Sequence, residues 1–210
     1  MKNYLVLNGK KMELSNDLVQ ILGNFVKKNV CAEKELGKVP VGEIVKIAGY
    51  EFIVLEHSKD TTAVITKDLF ANDEIFGSTC DYRDSNARKI TYDFKDKIEA
   101  AIGDKALIEH KVDLTSNDGL KDYGVIMAKV SMLTCDLYRR YVEILDKHKI
   151  DKYLWLATPW STPKHGYNQY VCYVSPAGFV GDGDCDDDGL GVRPFCIFDS
   201  SISVSFDCED

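Results

Sequence analysis

The sequence predicts an α+β fold in which short antiparallel strands outnumber the helices. Three runs near 43–48, 51–57 and 61–66 are rich in β-branched and aromatic residues and are separated by turn residues, a pattern typical of a β-meander. Two later stretches have helical periodicity. From residue 153 onward the chain is rich in aromatic residues, Gly, Pro and Asp. These observations indicate a loop-rich domain with two helices.

Residues 1–38 are predicted to form a small β-β-α appendage in front of this domain. The segment 3–14 alternates around Asn8-Gly9, a pair typical of tight hairpin turns. Ser15 or Asn16 is suited to cap the helix that follows. The apolar residues of this helix recur at three- and four-residue spacing and are expected to share one buried face: Leu18, Ile21, Leu22, Phe25 and Val26.

A charged connector at 31–40 leads into the main domain, which is predicted to span 39–210. Its first helix is predicted within 82–102, with Gly103 as C-cap, and its second begins near Thr134 or Asp136. The polar segment between the helices is predicted to be a loop that starts with a short strand. The final strands are predicted at 153–157, 169–174, 193–198 and 202–206.

Composition narrows the function classes. No apolar run is long enough to span a membrane, and the first residues lack the apolar core of a signal peptide, so we expect a host-cell cytoplasmic or virion-associated protein. The formal net charge is -8. An acidic chain gains nothing from counterion release at phosphates, so a protein with a basic patch is a better partner than nucleic acid.

The seven cysteines are odd in number and scattered, and no C-x-x-C pair occurs, which favours reduced thiols. The set closest to a metal site is His165, Cys172, Cys185 and Cys196, but its spacings match no zinc module. No metal cofactor is therefore expected from these residues.

Three motifs carry a resemblance to a known family: Trp155-Leu156-Ala157-Thr158-Pro159, Tyr173-Val174-Ser175-Pro176-Ala177-Gly178 and Gly191-Val192-Arg193-Pro194. In this order, and over roughly residues 40 to 206, the chain resembles an uncharacterised domain of gut bacterial and phage proteins. That domain has a C-type-lectin-like fold related to the formylglycine-generating enzymes. The resemblance implies structural roles for these residues: Trp155, Gly178, Gly191, Arg193 and Pro194. A buried Arg193 would donate to backbone carbonyls.

The resemblance also implies a binding role for the segment between the Trp155 strand and Gly191. In C-type-lectin-like proteins diversified by retroelements, this segment is the displayed variable region, and adenine mutagenesis of AAC-type codons yields a limited residue vocabulary. The chain matches that vocabulary at these positions: Tyr167, Asn168, Tyr170, Tyr173, Ser175, Phe179, Gly181, Asp182, Gly183, Asp184, Cys185, Asp186, Asp187 and Asp188. Gly and Asp are also good loop residues in their own right, so both interpretations stay open.

The aspartates also raise the question of calcium. Asp184, Asp186, Asp188 and Gly189 match the first half of an EF-hand loop, but Phe195 stands where the closing glutamate is needed, so an EF-hand is excluded. A calcium site completed by distant oxygens remains an alternative to a solvated acidic loop, since a cation would relieve repulsion among the carboxylates.

No catalytic motif of known order appears, so the protein is expected to be no enzyme. We expect a phage or prophage ligand-binding and display module that uses the aromatic and acidic surface of 160–190. Its predicted ligand-binding residues are Trp160, His165, Tyr167, Asn168, Tyr170, Tyr173, Phe179, Asp182, Asp184, Asp186, Asp187 and Asp188. The alternatives are a phage-encoded acidic mimic that inhibits a host defence nuclease and, third, a copper oxidase of the formylglycine type.

Overall fold

A computed structural model describes residues 3–7, 10–20 and 32–206 of the chain. Its strands are β1 Asn3–Leu7, β2 Lys10–Leu14, β3 Ala32–Glu35, β4 Ile44–Ile47, β5 Tyr50–His57, β6 Thr61–Thr66, β7 His110–Asp113, β8 Val125–Ala128, β9 Val130–Ser131, β10 Tyr153–Pro159, β11 Tyr170–Val174, β12 Val180–Asp184, β13 Leu190–Gly191, β14 Phe195–Asp199 and β15 Ser203–Phe206. Its two long helices are α1 Asn86–Ile102 and α2 Cys135–Leu145. The fold is therefore mixed α+β with mostly antiparallel sheets, as predicted.

The N-terminal hairpin is confirmed as a strand pair, since β1 and β2 pair from Asn3↔Leu14 to Leu7↔Lys10. Its predicted turn, Asn8-Gly9, lies outside the described residues. Ser15 caps the following helical residues, because its Oγ accepts a hydrogen bond from the Leu18 amide at 3.2 Å. The rest of that predicted helix lies outside the described residues. Leu18, which was expected to be buried, is 45% exposed.

A seven-stranded sheet forms the centre of the molecule, in the order β3-β15-β4-β5-β6-β14-β9. The predicted meander is confirmed as β4, β5 and β6. The prediction of a charged connector at 31–40 is wrong for Ala32–Glu35, because these residues form β3 and pair with β15. Leu36 follows in a short 3₁₀ turn and is fully buried in the core. The charged sequence of β3 does not predict a strand, because its strand conformation depends on pairing with β15.

The strands of this sheet divide the core into two layers. In β5, Phe52 and Val54 pack with α1, whereas Ile53 and Leu55 pack with α2 on the other side. This alternation follows from the two-residue period of a strand. Each helix is capped where the sequence predicted, by Thr134 at the start of α2 and by Gly103, with φ +88°, at the end of α1.

A second sheet, of four strands in the order β12-β11-β10-β13, lies beyond α2. One of its faces joins the α2 layer, and its other face packs on a third cluster around Phe76, Tyr82 and Leu114. The predicted final strands are confirmed as β10, β11, β14 and β15, although β14 begins at Phe195 rather than at 193. Strand β12 was not predicted, because the segment was interpreted as a display loop.

None of the helices in the described part of the chain has the length and hydrophobicity needed to cross a membrane.

Candidate functional site

Strand β12 is an edge strand that carries the first half of the acidic segment. It pairs with β11 along its whole length, from Tyr170↔Asp184 to Val174↔Val180. Side chains that lie directly opposite in an antiparallel pair share one face of the sheet. The predicted ligand-binding residues of β11 and β12 are thereby divided between two faces rather than gathered on one surface.

The acidic face holds Asp182 and Asp184. Tyr170 lies opposite Asp184 on this face, and the Tyr167 ring packs edge-on against Tyr170 with centroids 6.0 Å apart. Trp160 is half-buried against the α2 layer and donates its amide to the Tyr170 carbonyl at 2.9 Å. This face therefore combines two carboxylates with large aromatic side chains.

The opposite face holds an aromatic ribbon that runs towards the edge, formed by Tyr153, Tyr173 and Phe179. The Tyr173 ring lies 5.2 Å from Tyr153 and 6.5 Å from Phe179, centroid to centroid. Tyr153 is 43% and Phe179 57% exposed, a large apolar surface to leave in water. Tyr153 belongs to this ribbon but was not among the predicted site residues.

Tyr173 also explains the glycines of β12. A Cβ atom on Gly181 would lie 2.7 Å from the Tyr173 ring, and one on Gly183 would lie 3.4 Å from it. The ring thus lies directly over the backbone of β12, an arrangement in which an aromatic side chain supports glycine in an edge strand. Gly181 is required by packing, which limits its freedom to vary; Cys185 and Ser175 are buried and limited in the same way.

The carboxylates of the acidic segment lack partners. Within the described residues, no side-chain hydrogen bond or ion pair is formed by Asp182, Asp184, Asp186, Asp187 or Asp188. Their backbone is held by the pairing of β12 with β11 and, after the strand, by the Asp187 amide, which donates to the Asp184 carbonyl at 3.0 Å. In the described part of the chain, no three His, Cys, Asp or Glu residues lie close enough together to hold a metal ion.

His165 is bound by a different carboxylate, that of Asp118, which was not among the predicted site residues. The Asp118 Oδ2 atom accepts from Ser161 Oγ at 2.5 Å and from His165 Nδ1 at 3.0 Å, and Oδ1 accepts from Ser116 Oγ at 2.5 Å. Burial alone would raise the pKa of Asp118, but these hydrogen bonds outweigh it and hold the pKa well below its usual range. Asp118 ties the loop 160–169 to the loop after β7.

This network is a clamp rather than a catalytic triad. In a triad the histidine lies between the serine and the aspartate and accepts the serine proton. Here Ser161 and His165 both donate to Asp118, so the histidine does not activate the serine. A second tie next to it joins Thr162 Oγ1 to Asp122 at 2.8 Å, and the Asn168 carbonyl accepts from the Cys80 amide at 2.8 Å. The loop is therefore held rigidly, with Tyr167 and Asn168 exposed on it.

The cysteines do not form the metal-like set. Cys172, Cys185 and Cys196 belong to three separate core clusters, and His165 lies on the surface. Cys172 instead contacts the thiol of Cys135, and this shared hydrogen bond lowers the pKa of Cys135 and raises that of Cys172. Both thiols are buried, which separates this pair from any substrate in solution.

Four of the residues assigned structural roles, Trp155, Gly191, Arg193 and Pro194, are buried, and Gly178 is half-buried. Arg193 is 5% exposed and donates from Nε to the Thr66 carbonyl at 2.8 Å and from Nη2 to the Lys67 carbonyl at 2.9 Å, the loop-organising geometry expected of it. Burial lowers its pKa to about 10. Trp155 donates to the Glu74 carbonyl at 2.8 Å, and the Pro194 carbonyl accepts from the Thr66 amide at 3.0 Å.

The two glycines in this group fit for different reasons. A Cβ on Gly191 would lie 2.4 Å from Leu69. Gly178 has φ +94°, and its carbonyl accepts from Tyr138 Oη at 2.8 Å. One glycine permits a close approach, and the other permits a turn that few other residues adopt.

Neither the family models nor the curated proteins nor the solved structures contain a match to this chain. Function must therefore be argued from the site. Of the residues that build it, Asp118 had no signal beyond a turn-like Ser-Asn-Asp-Gly stretch, and Tyr153 none beyond its place at the start of a strand.

Proposed function

We propose that the protein is a non-enzymatic ligand-binding and display module that binds a protein with a basic patch through β12 and the loop 160–169. One observation carries the proposal: five carboxylates without partners lie beside exposed aromatic residues on a firmly tied scaffold. Aromatic side chains supply contact area at interfaces, and unpaired charges select the partner and speed its approach.

The finer fold assignment, a C-type-lectin-like domain of phage or prophage type, is part of the proposal. It is supported by the sequence motifs and by the place of their residues, with Trp155, Gly191 and Arg193 buried and the stretches 163–169 and 186–189 between them exposed. Diversification by a retroelement remains a prediction for the positions in that segment whose side chains are exposed. A reverse transcriptase gene and a near-copy template beside this gene would support it.

The test is a binding experiment with matched variants. Replacing Asp182, Asp184, Asp186 and Asp188 together with serine removes four charges from the acidic segment. The control variant has serine at four other exposed positions outside the 160–190 segment, Asp60, Asp84, Asp93 and Asp104. Its net charge is therefore the same as that of the first variant. A partner captured from host extract is purified and titrated against all three proteins at increasing salt.

We expect the first variant to lose most of the binding and the control to keep it, with affinity falling as salt rises. Equal binding by wild type and both variants would overturn the proposal. Equal loss in both variants would mean that the ligand responds to net charge and that this segment has no special role.

A second candidate function is the acidic mimic that inhibits a host nuclease. The observation that favours it is the spacing of carboxylates along an extended strand, Asp182 and Asp184 being about 7 Å apart on one face, which places charges in a row as a nucleic acid strand does. Inhibition of purified defence nucleases by the wild-type protein, relieved in the acidic-segment variant, would distinguish it. Complex formation without inhibition would favour the display module.

A further inference from the structure

Strand β12 has an unpaired outer edge. The Ser175 amide donates to the Phe179 carbonyl and the Cys185 amide to the Gln169 carbonyl, which fixes the alternation of hydrogen bonds between β11 and β12. Odd-numbered residues therefore direct their backbone groups towards β11, and Val180, Asp182 and Asp184 direct theirs outward. Within the described residues no strand pairs with this outer side.

Such an edge is a template for another strand, and proteins usually protect it. The Asp184 carbonyl is occupied by the Asp187 amide, but the backbone groups of Val180 and Asp182 and the Asp184 amide have no partner in the described part of the chain. The protection on β12 is entirely of one sign, since its only charged side chains are aspartates. Negative charge repels an acidic strand and attracts a basic one, so the edge discriminates by charge.

The edge is also where the two faces of the site meet. A strand added to β12 would place alternate side chains beside Asp182 and Asp184 and the others beside Tyr173 and Phe179, across the flat surface of Gly181 and Gly183. No ligand lying on one face could contact both groups. An extended ligand on the edge contacts both, which accounts for an exposed aromatic ribbon and unpaired carboxylates on opposite faces of one strand.

We propose that β12 binds an extended segment of the partner chain as a fifth strand, with basic residues at alternate positions and apolar residues between them. Antiparallel addition is the expected orientation, because it is the more stable pairing. Main-chain hydrogen bonds supply affinity in this mode of recognition, and alternate side chains supply specificity. The inference rests on the proposed function and specifies how that function is performed.

The test uses blocked synthetic peptides and fluorescence anisotropy. One peptide alternates lysine and valine, and its control has the same composition with all lysines together. Two further versions of the alternating peptide carry N-methyl groups, either on every lysine amide or on every valine amide. In antiparallel addition only the lysine amides face β12, so lysine N-methylation should weaken binding at least about tenfold and valine N-methylation should leave it nearly unchanged.

Two variants of the protein give the matching test from the other side. Asp182→Asn removes the charge and keeps the amide, whereas Asp182→Pro removes both, and proline is tolerated in an edge strand where its nitrogen faces outward. We expect Asp182→Pro to bind the alternating peptide at least about fivefold more weakly than Asp182→Asn. The peptide series decides the question if the proline variant fails to fold.

The outcomes separate the two proposals. Equal binding of the alternating and grouped peptides, with no effect of either N-methylation, overturns strand addition and leaves the proposed function standing as surface attraction. No binding of any basic peptide also overturns strand addition, and the proposed function is then judged by the partner titration alone. An effect of valine N-methylation only would support strand addition in the parallel orientation.

Discussion

The segment from 180 to 195 contains two regions that differ in how their residues are specified. From Gly191 to Pro194, every residue is buried, and Arg193 has two backbone acceptors at hydrogen-bond distance. From Asp182 to Asp188, the carboxylates have no side-chain partner within the described residues. The first region is explained by the fold. The second is not, because no contact among the described residues requires a carboxylate at these positions; the proposed function assigns these carboxylates to a partner.

The largest expected effect is in the buried region. Arg193→Met leaves the Thr66 and Lys67 carbonyls without their charged donor, and we expect unfolding to become easier by about 4 kcal/mol, about 2 for each charge-assisted hydrogen bond. Arg193→Lys supplies one ammonium for two carbonyls and should lose about half as much. Urea unfolding of the three proteins measures both. A loss below about 1 kcal/mol for the methionine variant would show that Arg193 is not fixed as described.

A second effect is the loss of stability of the core in acid, which we expect from His110. His110 is 8% exposed, its Nε2 lies 3.0 Å from Ser131 Oγ, and burial lowers its pKa to about 4. The unfolded chain binds the proton more readily, so stability is complete above the ordinary histidine pKa and is lost as pH falls towards 4. This contribution amounts to about 3 kcal/mol.

The measurement is the free energy of unfolding from pH 7 to pH 4 for wild type and His110→Gln. Glutamine does not titrate, so the free energy of unfolding of this variant should fall by about 3 kcal/mol less than that of wild type between pH 7 and pH 4. Parallel profiles would mean that His110 is accessible to protons in the folded state and that acid sensitivity arises elsewhere.

A smaller effect distinguishes neighbours on β12. Gly181→Ala forces a Cβ to within 2.7 Å of the Tyr173 ring, and we expect a loss of about 1–2 kcal/mol. Asp182→Ala, one residue further on the opposite face, should change stability by less than about 0.5 kcal/mol. Thermal unfolding compares the two. The combination of Gly181→Ala with Tyr173→Leu should cost less than the sum of the single changes, because the larger ring is then gone.

The smallest effect is expected in the acidic segment as a whole. Replacing Asp182, Asp184, Asp186 and Asp188 with serine should leave the free energy of unfolding within about 1 kcal/mol of wild type, while ligand binding is lost. Unfolding and binding are measured on the same samples. A large loss of stability would mean that these carboxylates have partners inside the protein, and the contrast between the two regions would fail.

The sequence predicted elements whose cause is local. These elements depend on residue patterns within a few positions of each other: the meander, the helix caps at Thr134 and Gly103, and the pairing of β1 with β2. It missed elements whose cause is distant. The glycines and aspartates of β12 have low strand propensity, and Tyr173 on the neighbouring strand supports them. The polar strand β3 depends likewise on β15.

The candidate site was predicted in composition but not in geometry. The acidic and aromatic residues of 160–190 were named from the sequence, yet their division into two faces depends on the register of β11 against β12. The register follows from which residues of the two strands pair, and the composition of the segment does not determine that pairing. Asp118 was missed for a related reason: its three side-chain donors come from Ser116, Ser161 and His165, and two of these lie far along the chain.

The pairing of β3 with β15 has a consequence for synthesis of the protein. Glu35 pairs with Ser203, so β3 waits for a partner that is translated much later. At ribosomal speeds of about 5–20 residues per second, that delay is on the order of ten seconds or more. Throughout it, the nascent chain exposes the side of β4 that β15 later covers. Charged side chains disfavour pairing of an unpaired strand with other chains, and β3 carries three of them, Glu33, Lys34 and Glu35.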